Sequence, residues 1–261
     1  MTTQIEVLTS LGLESIIKAS KVEELGNNVN SVLDQTSPHR PELDDLVSLH
    51  NIIYKTSRTT LLEFGCGWSS LLFAASLRLL EGEIGVLDSY RRNNPYECHS
   101  LDNDEKYIKM ASSRIDSDLK KYVNFHFSEV NMVDWNGRIA TAYKALPLIS
   151  PDFIYLDGPG QFNVGGEINA WSTRHKDMMP MVCDVLKIEH FLTPKTIIVV
   201  DGRAANARFM KCNLQRNWQY KYCSRRDQHF FVLEEPPLGK HSENIINEVY
   251  FRNGKWDIGD L

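Results

Sequence analysis

The stretch from Thr60 to Ser70, Thr-Leu-Leu-Glu-Phe-Gly-Cys-Gly-Trp-Ser-Ser, constrains this chain more than any other. A short apolar run ends in an acidic residue and two glycines, and a helix-competent apolar run from Leu71 to Leu80 follows. That order predicts strand, tight turn and helix, the opening of a βαβ unit. Gly65 and Gly67 carry no Cβ, so the backbone can turn sharply and approach a ligand closely. Ser69 or Ser70 is suited to cap the helix, whose first N–H groups face whatever lies above the strand end.

The dinucleotide fingerprint Gly-x-Gly-x-x-Gly is not met, because Ser70 stands at the third glycine and Glu63 lies two residues before the first. The pattern Glu-x-Gly-x-Gly instead resembles motif I of the class I S-adenosylmethionine-dependent methyltransferases. The resemblance implies that Gly65, Cys66, Gly67 and Ser69 pass under the methionine part of that cofactor and that Glu63 helps hold its ammonium group. It also implies a Rossmann-like, doubly wound, mainly parallel seven-stranded α/β sheet. Helices cover both faces of such a sheet and an antiparallel hairpin closes one edge.

The rest of the chain supplies strand ends in the matching order. Glu97 to Leu101 reads as the second strand and Glu105 to Ile115 as its helix, with Asp102-Asn103-Asp104 between them. A carboxylate at this strand end can accept hydrogen bonds from both ribose hydroxyls. Asp102 is preferred over Asp88, which follows Ile84-Gly85-Val86-Leu87. The helix after Asp102 completes a βα unit, and Ser-Leu-Asp-Asn-Asp-Glu-Lys-Tyr is similar to the family's second motif. Helix capping is the plainer role for Asp102. Asn103 is counted with it as cofactor-binding. Val123 to Phe127 reads as the third strand, ending at Ser128-Glu129, where the resemblance implies a contact near the adenine.

Pro151 to Leu156 reads as the fourth strand, closed by Asp157-Gly158-Pro159-Gly160. Ligands of open α/β sheets sit at such carboxyl edges. The long polar segment from Gln161 to Lys176, with Phe162, Trp171, Arg174 and His175, reads as a functional loop. Asp177 to Leu192 reads as an apolar helix, Thr196 to Val200 as the fifth strand before Asp201-Gly202-Arg203, and Ala204 to Arg216 as a helix. Tyr220 to Cys223 and His229 to Leu233 read as the closing hairpin. Asn94-Pro95-Tyr96 resembles the Asn-Pro-Pro-Tyr motif of amino-group methyltransferases, but it lacks a proline and precedes the wrong strand.

Residues 1–58 read as an N-terminal helical extension, with helices over Ile5 to Leu33 and Glu42 to Tyr54. They pack on the core, with a lid or a homodimer contact as the functional alternatives. Residues 59–235 form the cofactor-binding core, and 236–261 a tail with strand-like pieces such as Glu248 to Phe251. The net charge of −5 provides no basic field for nucleic acid. No apolar run approaches the roughly 18 residues of a membrane span. Five scattered cysteines with no Cys-x-x-Cys pair argue against disulfides and structural zinc, and a cytoplasmic setting is expected.

The function this implies is methyl transfer from S-adenosylmethionine to a small molecule or sugar, at oxygen, with Asp157, His175 and Asp201 as the candidates to deprotonate the acceptor and Asp157 and His175 preferred; Asp157 is also counted as cofactor-binding, where it would hold the methionine ammonium. In the metal-dependent O-methyltransferases, an Asp after the fourth strand and an Asp-Asn pair after the fifth bind magnesium. Asp157 and Asp201 match those aspartates, but Gly202 replaces the Asn, which argues against the metal. The alternatives are another transferase or a nicotinamide enzyme on the same fold, and a binding protein that has lost catalysis.

Overall fold

The computed structural model describes residues 3–21, 40–86, 93–175 and 177–261. Asp88, the Arg91-Arg92 pair and the break at Gly26 lie outside the described residues. The central sheet has seven strands: β1 (Thr60–Phe64), β2 (Glu97–Asp102), β3 (Val123–Phe127), β6 (Phe153–Leu156), β8 (Ile197–Asp201), β9 (Trp218–Cys223) and β10 (Gln228–Leu233). Their order is β3-β2-β1-β6-β8-β10-β9. The first five run parallel, with Leu62 beside His99 on one side and beside Ile154 on the other. β10 inserts antiparallel between β8 and β9. The fold is Rossmann-like. β1 and β6 are neighbours inside the sheet, and the order reverses between them, so the crevice above their carboxyl ends is the switch point where ligands bind.

Each strand feeds two cores because side chains alternate across the sheet. Leu61, Phe153, Ile197 and Val199 face one side, where they pack with α4 (Trp68–Ile84). That side also receives the N-terminal helices α1 (Gln4–Ser10), α2 (Glu14–Ser20) and α3 (Leu43–Thr56), through Leu8, Ile16, Leu49 and Ile53. Leu62, Phe64, Ile154, Ile198 and Val200 face the other side. There they meet α6 (Asp184–Ile188), α7 (Ala204–Asn213) and a small second sheet.

That second sheet was not anticipated. β4 (Val130–Trp135) and β5 (Arg138–Tyr143) form a hairpin after β3, and β7 (Val164–Gly165) adds to β4. Asn136 and Gly137 turn it, at φ 51° and 74°. Positive φ at both central residues is the primed turn that Asn-Gly favours. Three further expectations need correction. The single N-terminal helix is two short ones, separated by Gly12 at φ 76°. The apolar helix from Asp177 is helical only from Asp184, since Pro180 cannot sit in a helix interior. The tail expected as strand pieces is α8 (Lys240–Ile245), running into a π-helical turn at Ile246–Tyr250.

The tail is pinned beneath the sheet. Tyr250 donates its hydroxyl to Asp152 at 3.2 Å. The buried Arg58 guanidinium lies 3.7 Å from the Tyr250 ring centre and 4.9 Å from that of Trp256. Its Nη1 donates to the Lys195 carbonyl. Among the described residues no helix is long and apolar enough to cross a membrane.

Candidate cofactor crevice and acceptor site

Two glycines bring the ends of β1 and β6 into contact. A Cβ on Gly65 would lie 2.8 Å from the Gly158 nitrogen, and one on Gly158 would lie 2.6 Å from the Gly65 nitrogen. Gly65 also sits at φ 90°, which side chains resist. Gly67 differs: its φ is extended, and a Cβ there would meet nothing within 4 Å. The first glycine is thus needed by the fold, and the second leaves room above the turn.

Glu63 braces that turn from inside. It is fully buried, and Ser69, Ser70 at 2.6 Å, and Ser100 of β2 all donate hydroxyls to its carboxylate. Ser70 in turn accepts the Gly67 N–H at 3.2 Å. Neither serine is the N-cap expected from the sequence; both lie within α4. Burial raises the Glu63 carboxyl from 4.5 to about 7, and the three hydroxyls oppose that rise. Glu63 therefore presents no oxygen to the crevice in this structure.

Asp102 joins the two strand ends. Its Oδ2 accepts the Cys66 N–H at 2.9 Å and its Oδ1 accepts the Asp104 N–H at 2.8 Å. Each carboxylate oxygen has capacity for a second bond, and burial raises the group. The helix cap of α5 (Glu105–Ser113) is Asp104, which accepts the Lys106 N–H, so Asp102 is not held in that role. The Cys66 thiol is pushed far upward by burial and then by Asp102, and it stays protonated. Asp102→Ala is expected to weaken cofactor binding by roughly 1–3 kcal/mol, the range for leaving charged hydrogen-bond partners unmet. Calorimetry against Asp88→Ala checks this, and the reverse ranking would move the ribose to Asp88.

Asn103 spends both ends of its amide within the chain. It accepts the Gly160 N–H at 3.2 Å and donates to the Asn163 carbonyl at 2.7 Å. Asn163 donates back to Asp104 at 3.2 Å. The segment after β6 is thereby strapped across the end of β2. Ser128 gives its N–H to the Asp102 carbonyl and accepts the Ala145 N–H, each at 3.0 Å. Glu129 is exposed and pairs with Lys144 at 3.4 Å.

Asp157 stands at the end of β6 with 53 % of its side chain exposed. Surrounding protein raises its carboxyl, Arg203 lowers it, and Asp201 and Asp102 add to the rise. The solvent that reaches it softens every one of these effects. Arg203 Nε lies 3.6 Å from Asp157 Oδ1, and Nη1 donates to the Pro159 carbonyl at 3.0 Å. Arg203 precedes α7 and escaped the sequence reading, because a single arginine after Asp-Gly has no pattern. Asp201 accepts the Tyr155 hydroxyl.

Asp157 and Asp201, the pair weighed for magnesium, thus face a guanidinium and a phenol. Among the described residues no three His, Cys, Asp or Glu side chains are placed to hold a metal ion. At the start of α3, Asp45 is raised to about 7, first by burial, then by Glu42 and Asp201.

His175 lies apart. It is 66 % exposed, and its Nδ1 accepts the Asp177 N–H at 3.2 Å. Gln161 holds its carbonyl at 2.8 Å, and Thr173 binds the Gln161 carbonyl at 2.9 Å. Among the described residues no hydrogen bond or ion pair joins His175 to Asp157.

No family model matches the chain. No curated protein matches it either. Solved structures similar to it include the O-methyltransferase TomG from Streptomyces achromogenes, in complex with S-adenosylmethionine. That match has 12% identity over 90% of this chain and 97% of that one, with a TM-score of 0.44. An O-methyltransferase from Bacillus cereus bound to S-adenosylhomocysteine matches at 12% identity over 87% and 91%, TM-score 0.44. CalS11, a TDP-rhamnose 3′-O-methyltransferase, matches at 12% identity over 87% and 94%, TM-score 0.44.

Proposed function

We propose that this chain is an S-adenosylmethionine-dependent methyltransferase that acts on a hydroxyl of a small molecule or sugar. One observation carries the reading: the carboxylate of Asp102 at the end of β2 and the open turn at Gly67 after β1 lie together beside the strand-order reversal, joined through the Cys66 N–H. A ribose on Asp102 and a methionine end over Gly65 and Gly67 fit that spacing of carboxylate and bare backbone. The cofactor, when bound, supplies an already activated methyl group. The chain's task is positioning: it must hold the acceptor oxygen in line with that methyl and exclude water.

Asp157 is the group for the acceptor proton. It is exposed enough to be reached, and its raised carboxyl titrates nearer neutrality than an ordinary aspartate, as a general base requires. Arg203 beside it keeps part of that carboxyl ionised. His175 would join only if its loop moved inward. The cysteines of the described residues are all free, in keeping with a cytoplasmic setting.

Calorimetry with S-adenosylmethionine against NAD tests the reading, followed by a labelled-methyl screen of hydroxylated acceptors. Tight binding of NAD alone would refute it. On an identified acceptor, Asp157→Asn should cut turnover by about 10²–10⁴-fold, the usual worth of a positioned base, while cofactor affinity changes little. Turnover should be unaffected by EDTA. Full activity in Asp157→Asn would remove Asp157 from the chemistry.

A further inference from the structure

The hydroxyl of Tyr143 is buried and has no hydrogen-bond partner among the described residues. Tyr143 ends β5, beside the switch point, and its ring packs on Phe64, the last residue of β1, at 5.5 Å between centres. Its backbone is fixed, since its N–H donates to Asp184 at 3.0 Å. Burial holds the phenol well above its ordinary range, Asp102 adds to the rise and Arg203 opposes it. Two residues on, the Ala145 N–H donates to the Ser128 hydroxyl, and the Ser128 N–H donates to the Asp102 carbonyl, so the end of β5 lies beside the ends of β1 and β2.

Buried hydroxyls are nearly always paired in native proteins, and an orphan calls for a cause. Leaving it unpaired costs roughly 1–3 kcal/mol, yet phenylalanine would have the same shape without that cost. We propose that Tyr143 is a ligand-binding residue of the crevice and donates its hydroxyl to the bound cofactor, between the ribose and the methionine end. This rests on the S-adenosylmethionine reading given above.

The test is Tyr143→Phe, with S-adenosylhomocysteine and S-adenosylmethionine as calorimetric probes and thermal unfolding of the ligand-free protein measured alongside. The expected result is a 5- to 10-fold loss of affinity, on the order of one hydrogen bond, with a ligand-free unfolding midpoint equal to or above that of the wild type. Equal affinity in both proteins would overturn the inference while leaving the cofactor reading intact. So would a lower midpoint in ligand-free Tyr143→Phe, which would show that the hydroxyl has a structural partner. A wild type that binds neither probe would overturn the cofactor reading itself, and this inference with it.

Discussion

Gly65→Ala should destabilise the chain by about 3 kcal/mol and abolish cofactor binding, whereas Gly67→Val should abolish binding and leave stability nearly unchanged. The two glycines are a residue apart and face opposite demands. A methyl group on Gly65 would press on the Gly158 nitrogen at 2.8 Å and the Asp157 carbonyl carbon at 2.9 Å. Both are backbone atoms of a strand end and cannot rotate away. Overpacking of that kind costs about 1–3 kcal/mol, and a side chain at φ 90° adds roughly 1–2 kcal/mol of strain. Either the turn deforms or β1 and β6 part, and each outcome spoils the crevice. At Gly67 the φ is extended and the Cβ direction is open to 4 Å, so valine fits the ligand-free fold. It would occupy the space into which the cofactor's methionine end must pass. Chemical denaturation read beside calorimetry separates the two effects. Gly67→Val with wild-type affinity would take this turn out of the site, and Gly65→Ala with wild-type stability would show that the strand ends can separate freely.

The contrast shows what a sequence can carry. The strand ends were legible because apolar runs ending in Asp or Gly are local signals, and five parallel strands fell where such runs fell. Asp102 was legible as a carboxylate at a strand end, but its bond to the Cys66 N–H, across 36 residues, was not. Gly65 and Gly67 look alike in sequence, and only the approach of Gly158 distinguishes them. Tyr143 and Arg203 were missed for a similar reason. Tyr143 ends a hairpin whose one local signal, Asn136-Gly137, is a two-residue turn between short strands of mixed polarity. Arg203 acquires meaning only from Asp157, which lies on another strand. The tail was misread because Glu248 to Phe251 alternates in polarity as a strand does, while Tyr250 is buried through Asp152 and Arg58, far away in sequence.

Stability should fall as pH rises from about 5.5 to 8, and Glu63→Gln should remove much of that fall. The Glu63 carboxyl titrates at about 7 in the folded chain against an ordinary 4.5. Between those values the folded state binds more protons than the unfolded one, so the stability gradient with pH is negative. The contribution is complete below about 4.5 and is lost as pH rises through 7. One fully linked proton is worth about 1.4 kcal/mol per pH unit, and the linkage fades as the group ionises, so this group alone accounts for about 2 kcal/mol between about pH 5.5 and 8. Asp184, raised to about 6 mainly by burial, acts in the same direction over a lower window. Glu81 and Glu235 act oppositely. Hydrogen bonds from Lys121 and from Arg216 lower them, so their contribution disappears only when acid protonates them below the ordinary range. The stability maximum should therefore lie on the acid side of neutrality. Glutamine has the shape of a protonated glutamate, with one acceptor oxygen and donor hydrogens to offer to Ser69, Ser70 and Ser100. At about pH 5.5 the variant should be close to the wild type in stability. At about pH 8 it should equal or exceed it, because it carries no charge to bury. Denaturation midpoints across that range decide the matter: a flat wild-type profile, or an equal slope in Glu63→Gln, would mean that Glu63 stays ionised among its serines.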